Sequence, residues 1–140
     1  MKLHLFWHSA HRYRTMVSAH LSLALQWIGL LNTLNYTGMA SVMSPNFAYL
    51  DRLANAPIGY FNISLPTAPD TVENNDTVIF YTRANGKSKH GFPFLNEYMF
   101  TFTFENSTIL SVIEFVDPTI ISAWLTNETI VAQASGSCPE

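Results

Sequence analysis

The sequence predicts an α+β fold in which two helices precede an antiparallel sheet. A helical period runs from Ser18 to Leu34, and a period of two runs from Asn96 to Phe104. The order matters as well: helical segments come first and hairpin-linked strands follow, which segregates helices from sheet.

In the first helix Ala24, Trp27, Ile28, Leu31 and Leu34 share one face, while Ser22, Gln26, Gly29 and Thr33 form a small, mostly polar stripe. Asn35 is placed to cap a second short helix, Tyr36 to Met43. Ser44-Pro45 ends it, because proline disfavours helical backbone in the residue before it. Phe47 to Asp51 reads as a short strand. Pro57, Gly59, Pro66 and Pro69 then punctuate a loop that holds one strand, Tyr60 to Leu65. Thr77 to Arg83 is β-branched and aromatic, and Ala84-Asn85-Gly86-Lys87 carries the Asn-Gly hairpin signal. The next strand includes Phe92 to Phe94, with Pro93 confining that part to an edge or a bulge. Further on, Tyr98, Phe100, Phe102 and Phe104 alternate with Glu97, Met99, Thr101 and Thr103. Glu105-Asn106-Ser107 turns the chain into a last long strand, Thr108 to Asp117.

A chain of 140 residues suits one core, read here as an extension (1–15), a domain (16–133) and a tail (134–140). Apolar residues make up 48% and charged residues 12%, which excludes a disordered chain. Ten Phe, six Tyr and three Trp must pack together or line a cavity. The net charge is −3 and the seven Lys and Arg are scattered, so nucleic acid is not an expected partner. Cys138 stands alone, without an internal disulfide partner or metal-ligand spacing. His4, His8 and His11 have helical spacing but no carboxylate or cysteine beside them, and no phosphate loop or nucleophile elbow is present. Neither metal nor cofactor is expected.

Thr15 to Leu50 lacks Asp, Glu, Lys and Arg, but Asn32, Thr33, Asn35 and Gly38 interrupt it. Two packed helices fit that stretch better than a membrane span, so no membrane partner is expected. The apolar start Met1 to Trp7 runs into His8, His11, Arg12 and Arg14, a poor signal peptide, which favours a cytoplasmic location. Sequons at Asn35, Asn62, Asn75, Asn106 and Asn127 keep a secreted, N-glycosylated alternative open.

Gln26-Trp27-Ile28-Gly29-Leu30-Leu31-Asn32 through Asn46-Phe47-Ala48-Tyr49-Leu50-Asp51 resembles the opening helix-helix-strand of NTF2-like proteins. It aligns on ketosteroid isomerase without a gap, matching at Leu30, Asn32, Gly38 and Asp51. Asn96-Glu97-Tyr98, the Phe-rich strand and Glu114-Phe115-Val116-Asp117 resemble the closing hairpin of SnoaL-like proteins, fungal ones especially. The resemblance implies a cone-shaped, curved antiparallel sheet packed on helices around a cavity. It implies a small apolar, oxygenated ligand of polyketide or terpenoid type and cofactor-free isomerase, cyclase or dehydratase chemistry. The alternative on the same fold is a non-catalytic ligand-binding or dimerisation module.

By the same match Asp51 falls where ketosteroid isomerase keeps its general base, and Glu114, alternating with Val112 and Val116, faces the cavity as its partner. Trp27 falls where that enzyme places an oxyanion-hole tyrosine; an indole N–H can polarise a carbonyl but cannot exchange a proton. The enzyme's second oxyanion acid has no equivalent, since Met99 or Phe100 lies there. His20, Phe47, Tyr49, Met99, Val112 and Val116 complete the expected lining. Plainer readings stand beside these: Asp51 as a surface partner of Arg52, Glu114 as a structural hydrogen-bond partner, Trp27 and His20 as packed core groups. Asp117, before Pro118, reads as a cap on the strand end, and His90 as solvated in the loop from Gly86 to Gly91.

The family's third helix is missing or shortened, because only Arg52 to Phe61 is available for it, with Pro57 and Gly59 inside. That gap predicts a pocket open beside Arg52 to Phe61, or one covered by Met1 to Arg14 as a substitute wall. The convex face of the sheet, carrying Phe102 or Thr103, is the expected surface of a homodimer.

Overall fold

The computed structural model describes residues 18–45, 55–66 and 70–134. Helix α1 (Ala19–Asn32) starts at Ser18, whose hydroxyl accepts a hydrogen bond from the Leu21 N–H at 3.0 Å. Its buried residues are Ala24, Trp27, Ile28 and Leu31, the face expected from the helical period. Helix α2 (Tyr36–Ser41) is capped by Asn35, whose side-chain oxygen accepts from the Gly38 N–H at 2.8 Å. It ends before the expected Met43, which instead forms a parallel bridge to Ile109.

The sheet has five antiparallel strands: β1 (Ile58–Ile63), β2 (Thr71–Asn74), β3 (Thr77–Ser88), β4 (Pro93–Glu105) and β5 (Thr108–Val116). Their order is β1-β3-β4-β5, and β2 pairs with the first part of β3 while β1 pairs with its last part. The sheet curls into a half-barrel. A register shift between Thr103 and Phe104, opposite β5, is one source of the curl, since a bulge bends its strand and raises the local twist.

Strand alternation sets the core. Val78 and Phe80 on β3, Phe94, Tyr98, Phe100, Phe102 and Phe104 on β4, and Ile109 and Val112 on β5 are all buried on the inner face. Trp27 of α1 meets that face edge-on, with its ring centroid 6.0 Å from Phe100 and 5.4 Å from Phe102. Edge-to-face packing suits the ring quadrupoles and fixes the height of α1 above the sheet. Asn32 fixes its lateral position: its amide donates to Ile63 O at 2.9 Å and accepts from Ile63 N–H at 2.6 Å.

Two features depart from the expectation. Asn85-Gly86 is not a hairpin turn; β3 runs through it to Ser88. Gly86 serves close approach instead, because a Cβ there would lie 2.4 Å from Tyr60 O on β1. The actual turn follows Ser88, with Gly91 at φ +87°. Pro93 sits in a central strand rather than at an edge, and is tolerated because it opens that strand.

The chain after Asp117 forms the longest helix described, α3 (Pro118–Ala134), an element not among those expected from the sequence. Asp117 is its cap rather than a strand-end cap. One carboxylate oxygen accepts from the Thr119 hydroxyl at 2.7 Å and from the Thr119 N–H at 2.8 Å, with Pro118 in the first helical position. Those hydrogen bonds hold the Asp117 carboxyl below the usual carboxylate range. Between α2 and β1 no helix stands among the described residues. Among them, too, no helix is long and apolar enough to cross a membrane.

Candidate functional site

A cavity of about 200 Å³ opens between the inner face of the sheet, α1 and α3. Leu31 closes it from α1, and Ile121 and Trp124 close it from α3. Phe61, Phe94 and Tyr98 form the sheet wall, while Ala56, Ile58 and Tyr60 form the rim on the side of the expected gap. The rings brace one another: Phe61 lies 5.8 Å from Phe94 and 6.2 Å from Tyr98, and Phe94 lies 5.5 Å from Trp124. The Trp124 indole N–H donates to Phe92 O at 3.3 Å, which fixes the wall that α3 supplies.

Two polar groups stand in this apolar lining, Tyr98 buried and Glu114 half-buried. Glu114 on β5 pairs across the ladder with Phe100, and Tyr98 on β4 pairs with Val116, so the two side chains are diagonal neighbours on one face. Tyr98 is 6% exposed. Burial first, and then the Glu114 charge, push the Tyr98 phenol well above its ordinary range, so it remains a neutral donor.

α3 is held over the cavity by a second polar cluster. Glu128, 5% exposed, accepts from His90 Nδ1 at 2.7 Å and from the His90 N–H at 3.3 Å. Burial pushes its carboxyl up, but hydrogen bonds from Ser88 and His90 outweigh burial and hold it below the ordinary range. His90, expected to be solvated, thus clamps α3 to the β3–β4 turn. Asn96, also buried, donates to Asp117 O at 3.1 Å and ties down the start of the same helix.

The expected site residues divide. Glu114 lines the cavity. Trp27 is fully buried in the core behind it and its indole N–H donates to Met43 Sδ at 3.1 Å. Val112 is buried against the core opposite Phe102, and Val116 is half-buried opposite Tyr98. His20 is remote from the cavity: its ring stacks on Phe104 at 4.4 Å, and its two nitrogens face Asn75 O at 2.9 Å and Asn106 O at 3.1 Å. Met99 is a correction. It points to the convex face, 41% exposed, and Phe100 holds the inner position, because adjacent strand residues face opposite ways. For the same reason Phe102 is buried and Thr103 is the one of that pair on the convex face. Phe47, Tyr49, Asp51, Arg52 and the segment Met1 to Arg14 lie outside the described residues.

Sequence reasoning missed Tyr98, Ile121 and Trp124. Tyr98 is the one residue of the inward β4 row from Tyr98 to Phe104 with a hydroxyl, and Asp117-Pro118-Thr119 is a helix-start signal that announces α3. Among the described residues no group of three His, Cys, Asp or Glu could hold a metal ion. A second, open depression of about 560 Å³ lies toward the convex side, where Tyr81, Met99 and Phe115 meet an exposed ion pair, Arg83 to Glu97 at 3.1 Å.

No family model matches the chain, and no curated protein matches it. Solved structures do. PrhC from Penicillium brasilianum aligns with TM-score 0.69 at 12% identity, over 86% of this chain and 95% of that one. An NTF2-like protein of unknown function from Burkholderia pseudomallei aligns with TM-score 0.66 at 10% identity, over 78% and 98%. TerC, co-crystallised with polyporic acid, aligns with TM-score 0.65 at 11% identity, over 78% and 99%. The chain therefore has the α+β cone fold of NTF2-like proteins, as its opening and closing segments implied.

Proposed function

We propose that the chain is a small-molecule pocket protein in which Glu114 performs acid–base chemistry on an oxygenated apolar ligand. The observation that carries this reading is a carboxylate set in an aromatic-walled cavity between the sheet and α3. Surroundings of that kind weaken the hydration that keeps a carboxylate inert in water, and bring it within reach of a proton on the ligand. Taking a proton from the carbon beside a carbonyl and returning it elsewhere is an isomerisation. Returning it with loss of water is a dehydration. A substrate of polyketide or terpenoid type is in keeping with TerC, a protein of this fold crystallised with polyporic acid.

The test is hydrogen–deuterium exchange at the α-carbon of enolisable ketones in D₂O, followed by NMR. Exchange should be accelerated by the chain and lost in Glu114→Gln. No acceleration with any ketone, alongside normal ligand binding, would leave the non-catalytic module as the function.

A homodimer through the convex face is the second reading, favoured by the apolar side chains that face bears. Val72, Met99, Ile113 and Phe115 are 63%, 41%, 50% and 58% exposed on one sheet surface. Arg83 and Glu97 beside them supply charges that a two-fold axis can exchange. Sedimentation showing a monomer at high micromolar concentration would exclude it.

A further inference from the structure

His20 stands in the first turn of α1 with both ring nitrogens against backbone carbonyls. Nδ1 lies 2.9 Å from Asn75 O, and Nε2 lies 3.1 Å from Asn106 O. The two carbonyls hold equivalent places in the sheet. Asn74 pairs with Thr77 and Glu105 pairs with Thr108, so each of these asparagines opens a two-residue hairpin turn. Both take the left-handed backbone, φ 31° and φ 56°, which asparagine tolerates in such turns. The ring is held from its face as well. It lies flat on Phe104, with centroids 4.4 Å and planes 9° apart, and the Phe104 N–H donates to Asp76 O at 2.8 Å in the first of those turns.

A carbonyl oxygen only accepts, so each ring nitrogen needs a proton to make its bond. A neutral imidazole carries one N–H and one lone pair, whereas the imidazolium carries two N–H groups. In the neutral ring one nitrogen turns its lone pair on a carbonyl oxygen, and a single hydrogen bond forms.

We propose that His20 is a proton-operated latch between α1 and the two hairpin tips. Protonated, it ties the helix to both tips; neutral, it lets one go. The flat face of Phe104 also favours a positive ring. α1 carries no other charged side chain. Beside the contacts, among the described residues, stand Glu73 on β2, Asp76 in the first turn and Glu105 at the end of β4. Glu73 accepts from the Ser18 hydroxyl, and Asp76 accepts from the Thr77 hydroxyl at 3.3 Å. None of the three is a cation that would oppose a positive ring. The folded chain holds the second proton in a bond that the unfolded chain lacks, so folding takes up a proton between about pH 5 and 8. The latch therefore contributes fully at the acid end of that range, and the contribution disappears as pH rises. The proton sets how firmly α1, whose far end carries Leu31 into the cavity wall, is seated on the sheet.

The experiment uses the full chain with ¹⁵N-labelled histidine. The His20 signals are identified by their loss in His20→Phe, which keeps a ring on Phe104 and removes both donors. Two-bond ¹⁵N–¹H spectra should show two ring N–H groups on His20 at about pH 5.5 and one at about pH 8. In thermal unfolding, the midpoint of the natural chain should exceed that of His20→Phe by about 4 °C more at the lower pH than at the higher. The other histidines and Glu128 are common to both chains and cancel in that difference. His20→Gln should show the same pH-dependent gap, which covers the case in which the Phe variant does not fold. A gap that stays constant with pH overturns the latch. So does a His20 ring whose protonation does not change across that range.

Discussion

The two faces of β4 are built from alternate residues of one strand and behave as different materials. Inward, Tyr98, Phe100, Phe102 and Phe104 are buried, each stacked on or tilted against the next at 5.3–6.4 Å. Outward, Glu97 and Met99 are exposed and Thr101 and Thr103 are half-buried. Backbone hydrogen bonds are shared by both faces and cannot account for the difference. What separates them is whether a helix lies over the side chains: α1 and α3 cover one face, and among the described residues nothing covers the other. Burial against a second layer, rather than residence in a sheet, is what makes a side chain energetically important.

The largest effect should come from Phe100→Ala, which empties a fully buried ring site between Trp27 and Phe80. Loss of about 3–5 kcal/mol in chemical denaturation is expected. A loss below about 1 kcal/mol would show that the inner face is not a packed core. Glu128→Gln comes next, at about 1–3 kcal/mol, since it weakens a charged hydrogen-bond cluster beneath α3. The same group sets a pH dependence. Its folded pKa is depressed, so its contribution is complete above the ordinary carboxylate range near about 4.3 and disappears as pH falls through the depressed value. The natural chain should lose thermal stability over that acid window, and Glu128→Gln should show a flatter profile.

Gly86→Ala should cost about 1–3 kcal/mol, because β1 must move away from β3 to admit the methyl group. It should also disturb Phe61 and hence probe binding in the cavity. Met99→Ala, next to Phe100 in sequence, should change monomer stability by less than about 0.5 kcal/mol. If it instead weakens a dimer measured by sedimentation, the outer face is covered after all, by a second copy.

Elements with a clear period were legible in the sequence. The α1 face, the Asn35 cap, the β4–β5 hairpin and the inward direction of Glu114 all followed from spacing or from the family resemblance. Position within a period was harder: Met99 and Phe100 differ by one residue and therefore by the whole thickness of the sheet. Asn85-Gly86 misled because the dipeptide has two uses, and only the approach of the Tyr60 carbonyl shows which one applies. α3 was overlooked although Asp117-Pro118-Thr119 signals it, because its inward face is thin, with Ile120, Ile121 and Trp124 half-buried around one buried glutamate. Its contribution to the cavity wall depends on contacts far apart in the chain, such as His90 to Glu128.

The pairing of Asn32 with Ile63 has a consequence for solubility. An open sheet ends in strands whose free N–H and C=O groups invite another chain to add itself. Here the last residue of β1 has both backbone groups engaged, one by each end of the Asn32 amide. On the opposite side of the sheet, Ile109 exchanges hydrogen bonds with Val42 O and with the Ser44 N–H as β5 begins. Each edge is thus capped at one residue, Ile63 or Ile109, by the helical segment that precedes the sheet. Strand-by-strand polymerisation is blocked there by the same residues that seat the helices, and Asn32→Ala should reveal it as faster fibril growth on gentle heating.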